Sequence, residues 1–105
     1  MAQIIQQGQH WRVGGEVVFN NASSLLETSL TFNNTRPTVI DFAQVTNVDT
    51  SAISLMLEWQ RRAFAVRSTV NFVNLTPNLI SLASLYGVTD FIPQDVAANT
   101  VTASI

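Results

Sequence analysis

Between residues 38 and 53 the chain reads Thr38-Val39-Ile40-Asp41-Phe42-Ala43-Gln44-Val45-Thr46-Asn47-Val48-Asp49-Thr50-Ser51-Ala52-Ile53. Residues 38–42 are compact and β-branched, as a buried strand requires. Asp, Thr and Ser then stand just before a long apolar periodic run, which is how a helix begins. The spacing predicts a strand over 38–42, a loop through Val45 and Val48, and a helix from that polar triplet to about Val66. Residues 69–74 supply the next strand. Strand, helix and strand in this order predict a parallel pair joined by a right-handed crossover.

Residues 3–7 are expected to form a first strand. His10 to Phe19 forms a second, with Trp11, Val13, Val17 and Phe19 on one face and a bend or bulge at Gly14-Gly15. Asn20 or Asn21 offers a cap for a helix over 22–32 that carries Leu25, Leu26 and Leu30. Asn33-Asn34-Thr35-Arg36-Pro37 closes it with turn chemistry. Thr76-Pro77 starts a last helix and Gly87 ends it. A short strand over 89–92 and a frayed tail over 94–105 complete the expected order. The fold class is α/β, with a mixed four- to five-stranded sheet, in one domain over 1–105 whose core spans 4–93.

Composition removes several function classes. The 105 residues contain no cysteine and a single histidine, His10, so thiol chemistry, disulfides and clustered metal ligands are not expected. Charged residues make up 11% of the chain, against about 25% in an ordinary soluble domain. The five cations are all arginine and the net charge is −2, so nucleic acid has no electrostatic footprint. No signal peptide or membrane-spanning run is visible, and a cytoplasmic protein is expected. A surface this poor in charge is suited to being covered by a partner.

Catalytic arrangements are equally scarce. The four glycines, Gly8, Gly14, Gly15 and Gly87, build neither a dinucleotide loop nor a P-loop, and no G-x-S-x-G elbow accompanies His10. Asp41 and Asp49 could approach as an acid–base pair. A cap at Asp49 and a loop brace at Asp41 account for both without catalysis. No catalytic residue, metal or cofactor is expected.

Two features remain. Asp49, Thr50 and Ser51 offer more capping capacity than one helix uses, which leaves a hydroxyl at the positive end of a helix dipole. Such a hydroxyl can meet an anion or carry a phosphate, and such a triplet is equally well an ordinary cap. The helix behind it, 52–66, has apolar residues over roughly 200° of arc, whereas packing on a sheet needs only about 100°. The surplus is expected either to pack on a neighbouring helix or to face a partner. Ile53, Met56 and Leu57, with Trp59, are the candidate contact residues, and Glu58–Arg62 is a candidate i, i+4 ion pair.

The run Val39-Ile40-Asp41-Phe42, Val45, Val48-Asp49-Thr50-Ser51-Ala52-Ile53 resembles the signature of STAS domains, the family of the anti-sigma-factor antagonists. Val48 to Trp59 and Leu82-Ala83-Ser84-Leu85-Tyr86-Gly87-Val88 resemble, within that family, the small cytoplasmic STAS subunits of Mla-type phospholipid-transport ABC complexes of Gram-negative bacteria. That resemblance implies a non-enzymatic subunit that binds the transporter's ATPase and supports maintenance of outer-membrane lipid asymmetry. It implies contact with the membrane only through the complex. It maps the family's key hydroxyl at the start of the long helix onto Thr50, with Ser51 beside it as a second possible phospho-acceptor. Phosphorylated antagonists carry Gly where this chain has Ala52, and usually Ser at the acceptor position. The alternative implied by the resemblance is an antagonist switched by phosphorylation at Thr50 or Ser51.

Overall fold

The computed structural model describes residues 2–32 and 35–87. Seven elements follow in order: β1 (Gln3–Gln7), β2 (His10–Val17), α1 (Phe19–Ser29), β3 (Thr38–Val48), α2 (Thr50–Ala65), β4 (Val70–Val73) and α3 (Pro77–Leu85). The sheet runs β1-β2-β3-β4. The β1/β2 hairpin is antiparallel and the β2/β3 and β3/β4 pairs are parallel. The mixed α/β sheet expected from the sequence is therefore present. The expected strand over 89–92 and the tail over 94–105 lie outside the described residues.

Strand β3 is the main departure. It does not stop at Phe42 but continues through Val45 to Val48. Its register against β2 explains why the pattern looked like a loop. Arg12 pairs with Asp41 but Gly14 with Gln44, and Gly15 pairs with Val45 but Glu16 with Asn47. At each step β3 spends one residue more than its partner. These two bulges shift the inward phase, so Phe42, Val45 and Val48 point to the core at every third residue. Gly14 sits against the first bulge, where a Cβ would lie 3.4 Å from the Gln44 Cβ.

Helix α1 begins earlier than expected, at Phe19, and Asn21 caps it by accepting the Val18 N–H at 3.0 Å. Phe19 is thus the first helical residue and is 80% exposed rather than continuing the inner face of β2. Helix α3 starts as its sequence predicts: Pro77 takes the first turn and Thr76 Oγ1 accepts the Leu79 N–H at 3.1 Å.

Trp11, Val13 and Val17 of β2, Ile40 and Phe42 of β3, Phe72 of β4 and the inner faces of the helices form one buried cluster. Its aromatic seam runs from Phe32 to Trp11 to Trp59, edge to face at 5.0 and 6.2 Å between ring centres. Ser29 lies at the edge of that seam, fully buried. Its Oγ accepts from Trp59 Nε1 at 2.8 Å and from Arg62 Nη2 at 3.0 Å, and donates to the Leu26 carbonyl at 2.7 Å. One donor and two acceptors exhaust what a hydroxyl has. Ser29→Ala leaves the Trp59 indole N–H buried without a partner. We expect it to lower stability by about 1–3 kcal/mol and the melting temperature by roughly 5–15 °C, read by calorimetry.

Candidate docking site

Asp49 follows β3 directly and holds two helices with one carboxylate. Its Oδ1 accepts the Ser51 N–H at 2.8 Å and caps α2. Its Oδ2 accepts the Phe19 N–H at 3.0 Å at the start of α1. The Asp49 N–H in turn donates to the Val17 carbonyl at 3.2 Å, so both parallel strands end together. Burial pushes the Asp49 carboxyl up, but donation from the Phe19 and Ser51 backbones and from the Ser51 hydroxyl outweighs it, and the pKa falls below its ordinary 3.8.

A carboxyl with a depressed folded-state pKa adds stability above pH 3.8 that disappears as pH drops through the folded value. Asp49→Asn is expected to flatten the acid limb of a stability–pH curve below about pH 4. Asp49→Ala is expected to cost about 0.5–2 kcal/mol at neutral pH through the lost cap. Urea titrations at pH 3 to 7 check both.

With Asp49 doing the capping and Ser51 turned toward it, Thr50 is the surplus hydroxyl. It is exposed at the first helical position and makes no hydrogen bond among the described residues. Beside it a groove of about 510 Å³ runs between α1 and α2, lined by Phe19, Ala22, Ser23, Leu26, Ser51, Ser54, Leu55 and Glu58. Phe19 and Ser51 thus line the groove, and Thr50 directly precedes Ser51 at the start of α2. Phe19 could not be found by strand alternation, because the switch to helical geometry at Val18 turned it outward. Leu26 and Leu55 were legible only as helical apolar positions, with nothing to show that the two helices leave a groove between them.

The surplus apolar arc of α2, expected either to pack on a neighbouring helix or to face a partner, is largely packed inward. Met56 is fully buried, Ile53 nearly so, and Trp59 is only 2% exposed. These three side chains hold α2 on the sheet and on α1, and they present no surface to a partner. Leu57 is half-buried against the core. Phe64, on the same helix, is 81% exposed. Glu58 pairs with Arg61 at 2.6 Å rather than with Arg62, because Arg62 folds back onto Ser29.

Asp41 and Asp49 do not form an acid–base pair. Eight residues of extended strand, at about 3.3 Å each, separate them by roughly 25 Å. Asp41 instead braces the backbone. Its Oδ1 accepts the Ala43 N–H at 2.8 Å, at the first bulge, and Asn74 Nδ2 at 3.0 Å, where Asn74 takes a positive φ after β4. His10 Nε2 stands 3.6 Å from Asp41 Oδ2. Burial raises the Asp41 pKa, and the donors from Asn74, Ala43 and His10 reverse that and lower it. Among the described residues no group of three or more His, Cys, Asp or Glu side chains converges, and no helix is long and apolar enough to cross a membrane.

A hairpin leading into parallel β-α-β units, with a capped turn at the head of the long helix, defines a STAS domain. The profile of the family described as "Mlab, STAS domain" matches residues 2–94, and the chain belongs to that family. Among solved structures, it is similar to the anti-sigma factor antagonist SpoIIAA in its unphosphorylated form. That match has TM-score 0.67 and 14% identity, and covers 99% of this chain and 96% of that one. It is also similar to an anti-sigma-factor antagonist (STAS) domain protein from Planctomyces limnophilus, with TM-score 0.67, 12% identity and coverage of 89% and 87%. At those identities the likeness is one of fold. No curated protein sequence matches the chain.

Proposed function

We propose that this chain is the non-enzymatic STAS subunit of a phospholipid-transport ABC complex. It docks on the cytoplasmic ATPase of that complex, supports its activity in maintaining outer-membrane lipid asymmetry, and meets the membrane only through the complex. The observation that carries the reading is the apolar α1/α2 groove opening beside the exposed Thr50 hydroxyl and the exposed Phe19 ring, in a chain of the family described as Mlab. Phe19, Ala22, Leu26 and Leu55 give the groove its apolar surface, and Ser23, Ser51, Ser54 and Glu58 give it polar groups, the mixture of apolar and polar surface that interfaces carry.

Phe19→Ala tests the reading with little risk to the fold, since the ring makes few contacts within the domain. It is expected to weaken association with the cognate ATPase of such a complex by at least about 30-fold, the loss of one aromatic anchor, while the melting temperature of the isolated domain stays within about 2 °C. Co-purification and titration calorimetry read the first, calorimetry the second. Failure of the wild-type chain to associate with that ATPase removes the reading.

The exposure of Thr50 favours one other reading, an anti-sigma-factor antagonist switched by phosphate at Thr50 or Ser51. Ala52 is fully buried where phosphorylated antagonists have Gly. Intact-mass measurement on protein from its native cell separates the two. A phosphorylated species that Thr50→Ala or Ser51→Ala removes, together with capture of a kinase and not an ATPase, supports the switch.

A further inference from the structure

Strand β1 ends the sheet, and its outer edge meets no partner among the described residues. Which of its backbone groups face outward follows from the hairpin. Only Gly8 and Gln9 separate Gln7 from His10, so Gln7 and His10 are the pair that exchanges hydrogen bonds beside the turn. The alternation of an antiparallel ladder then gives the backbone groups of Gln7, Ile5 and Gln3 to β2. Those of Ile4 and Gln6 point the other way, to the open edge.

An open edge is ordinarily blunted by a charge, a proline or a bulge. Strand β1 carries none of the three. It reads Gln3-Ile4-Ile5-Gln6-Gln7 and pairs with β2 without a register shift. Ile4 is buried under the helices, so Ile5 projects from the opposite face of the sheet, where it is 45% exposed. On the helix side, α1 packs over β1 and β2. Its flank toward α2 carries Phe19, Ala22, Ser23 and Leu26. The opposite flank, above the β1 edge, carries Ser24 and Thr28, which are small and uncharged, and Thr28 Oγ1 donates to the Ser24 carbonyl at 3.0 Å.

We propose that two copies of this chain pair through β1 about a two-fold axis at Ile5, joining their sheets into one. The edge is complementary to itself in that register. Ile4 faces Gln6 of the second copy and Gln6 faces its Ile4, so every outward N–H meets an outward C=O. A shift by two residues in either direction leaves Ile4 or Gln6 unpaired. Ile5 meets Ile5 at a non-hydrogen-bonded position, with Cα atoms about 4.5 Å apart, and Gln3 opposes Gln7 on the same face. The nearest cation is Arg12, across from Ile5 on β2. The two copies' Arg12 backbones are three strand spacings apart, about 14 Å, beyond the screening length of about 10 Å. Pairing uses the same edge of both copies, so the assembly closes at two. Each copy keeps its α1/α2 groove, which lies on the other flank of α1. An edge this short makes a small, reversible interface.

Sedimentation of the whole chain over a range of concentrations tests the pairing, with half of it expected as dimer at or below about 1 mM. Ile5→Lys, at an exposed position, puts two like charges in the central pair and is expected to weaken the dimer at least about tenfold. An equimolar mixture of Ile5→Lys and Ile5→Glu is expected to restore it, which also shows both variants folded. The register is read by cross-linking, since the chain has no cysteine of its own. Ile5→Cys is expected to give a covalent dimer on mild oxidation, because Cα atoms about 4.5 Å apart are within disulfide reach. Gln7→Cys lies on the same face, but its two copies stand four residues, about 13 Å, apart, past the limit of about 7 Å. A chain monomeric at about 1 mM, a dimer that Ile5→Lys leaves intact, or equal cross-linking of the two cysteine variants overturns the proposal. So does a monomer whose Ile4 and Gln6 amides gain exchange protection only when the ATPase is added, which gives the edge to that subunit. Ile5→Lys is expected to leave association with the ATPase unchanged, so the pairing and the docking reading fail separately.

Discussion

In Thr50→Glu protein, association with the partner ATPase is expected to fall at least about 100-fold while the isolated domain melts no lower than the unaltered chain. The two halves of this result come from one position. Thr50 is the first residue of α2 and Asp49 already supplies its cap. A carboxylate in the first turn of a helix meets the positive end of the macrodipole and adds about 0.3–1 kcal/mol of stability. Nothing is lost in exchange, because the Thr50 hydroxyl makes no hydrogen bond among the described residues and its side chain is exposed. At an interface the same carboxylate must shed its water beside Asp49, and an unpaired buried charge costs about 3–5 kcal/mol, or more than 100-fold in Kd.

Thr50→Val separates the size of the residue from its charge. It keeps the shape and removes the hydroxyl, so a partner that only packs on this turn tolerates it within about tenfold. Titration of the ATPase with each variant, alongside thermal melts, gives the comparison. If Thr50→Glu binds as the unaltered chain does, the turn is not in the interface, and the docking reading fails with it.

The turn was legible in the sequence because its signal is local. Asp, Thr and Ser before an apolar run name a helix start, and Pro77 after Thr76 names another, whatever the rest of the chain does. The order of strands and helices was legible for the same reason. What escaped was set by partners distant in sequence. Val45 and Val48 belong to a strand only because β2 shifts register twice beside them, and the spacing within 43–48 alone has no strand period. Phe19 reads as the last inward residue of β2 until Asp49, thirty positions away, takes its N–H and turns it into the first residue of a helix. The α1/α2 groove depends on how two helices sit side by side, and each helix by itself shows only its apolar positions. The same holds for α2, whose broad apolar arc did not say which flank the neighbouring helix would take. Ile53, Met56 and Trp59 stand on that arc as candidates for a partner or for the neighbouring helix alike, and they are buried in the core.

The clearest consequence of that burial lies at Trp59. Trp59→Ala is expected to remove about 3–5 kcal/mol of stability, out of about 5–15 for a domain of this size, and so to leave a substantial unfolded fraction at 37 °C. The loss has three parts. A side chain that buries some 150–250 Å² in such positions goes, together with the edge-on contact with Trp11 at 6.2 Å and the indole donor to Ser29 at 2.8 Å. Trp59→Phe retains an aromatic ring against Trp11 and gives up the donor. Ser29 then keeps its bond from Arg62 at 3.0 Å, so no buried group is orphaned and the expected cost is nearer about 1 kcal/mol. Urea denaturation followed by circular dichroism orders the two, with the midpoint for Trp59→Ala well below that for Trp59→Phe. The folded Trp59→Phe protein also separates a core residue from an interface anchor. A side chain 2% exposed in the free domain has almost no area left to give a partner, so the Kd for the ATPase is expected to change by no more than about twofold. A hot-spot residue losing its indole costs about 2 kcal/mol or more, close to 30-fold, and a change of that size with the fold intact would return Trp59 to the interface.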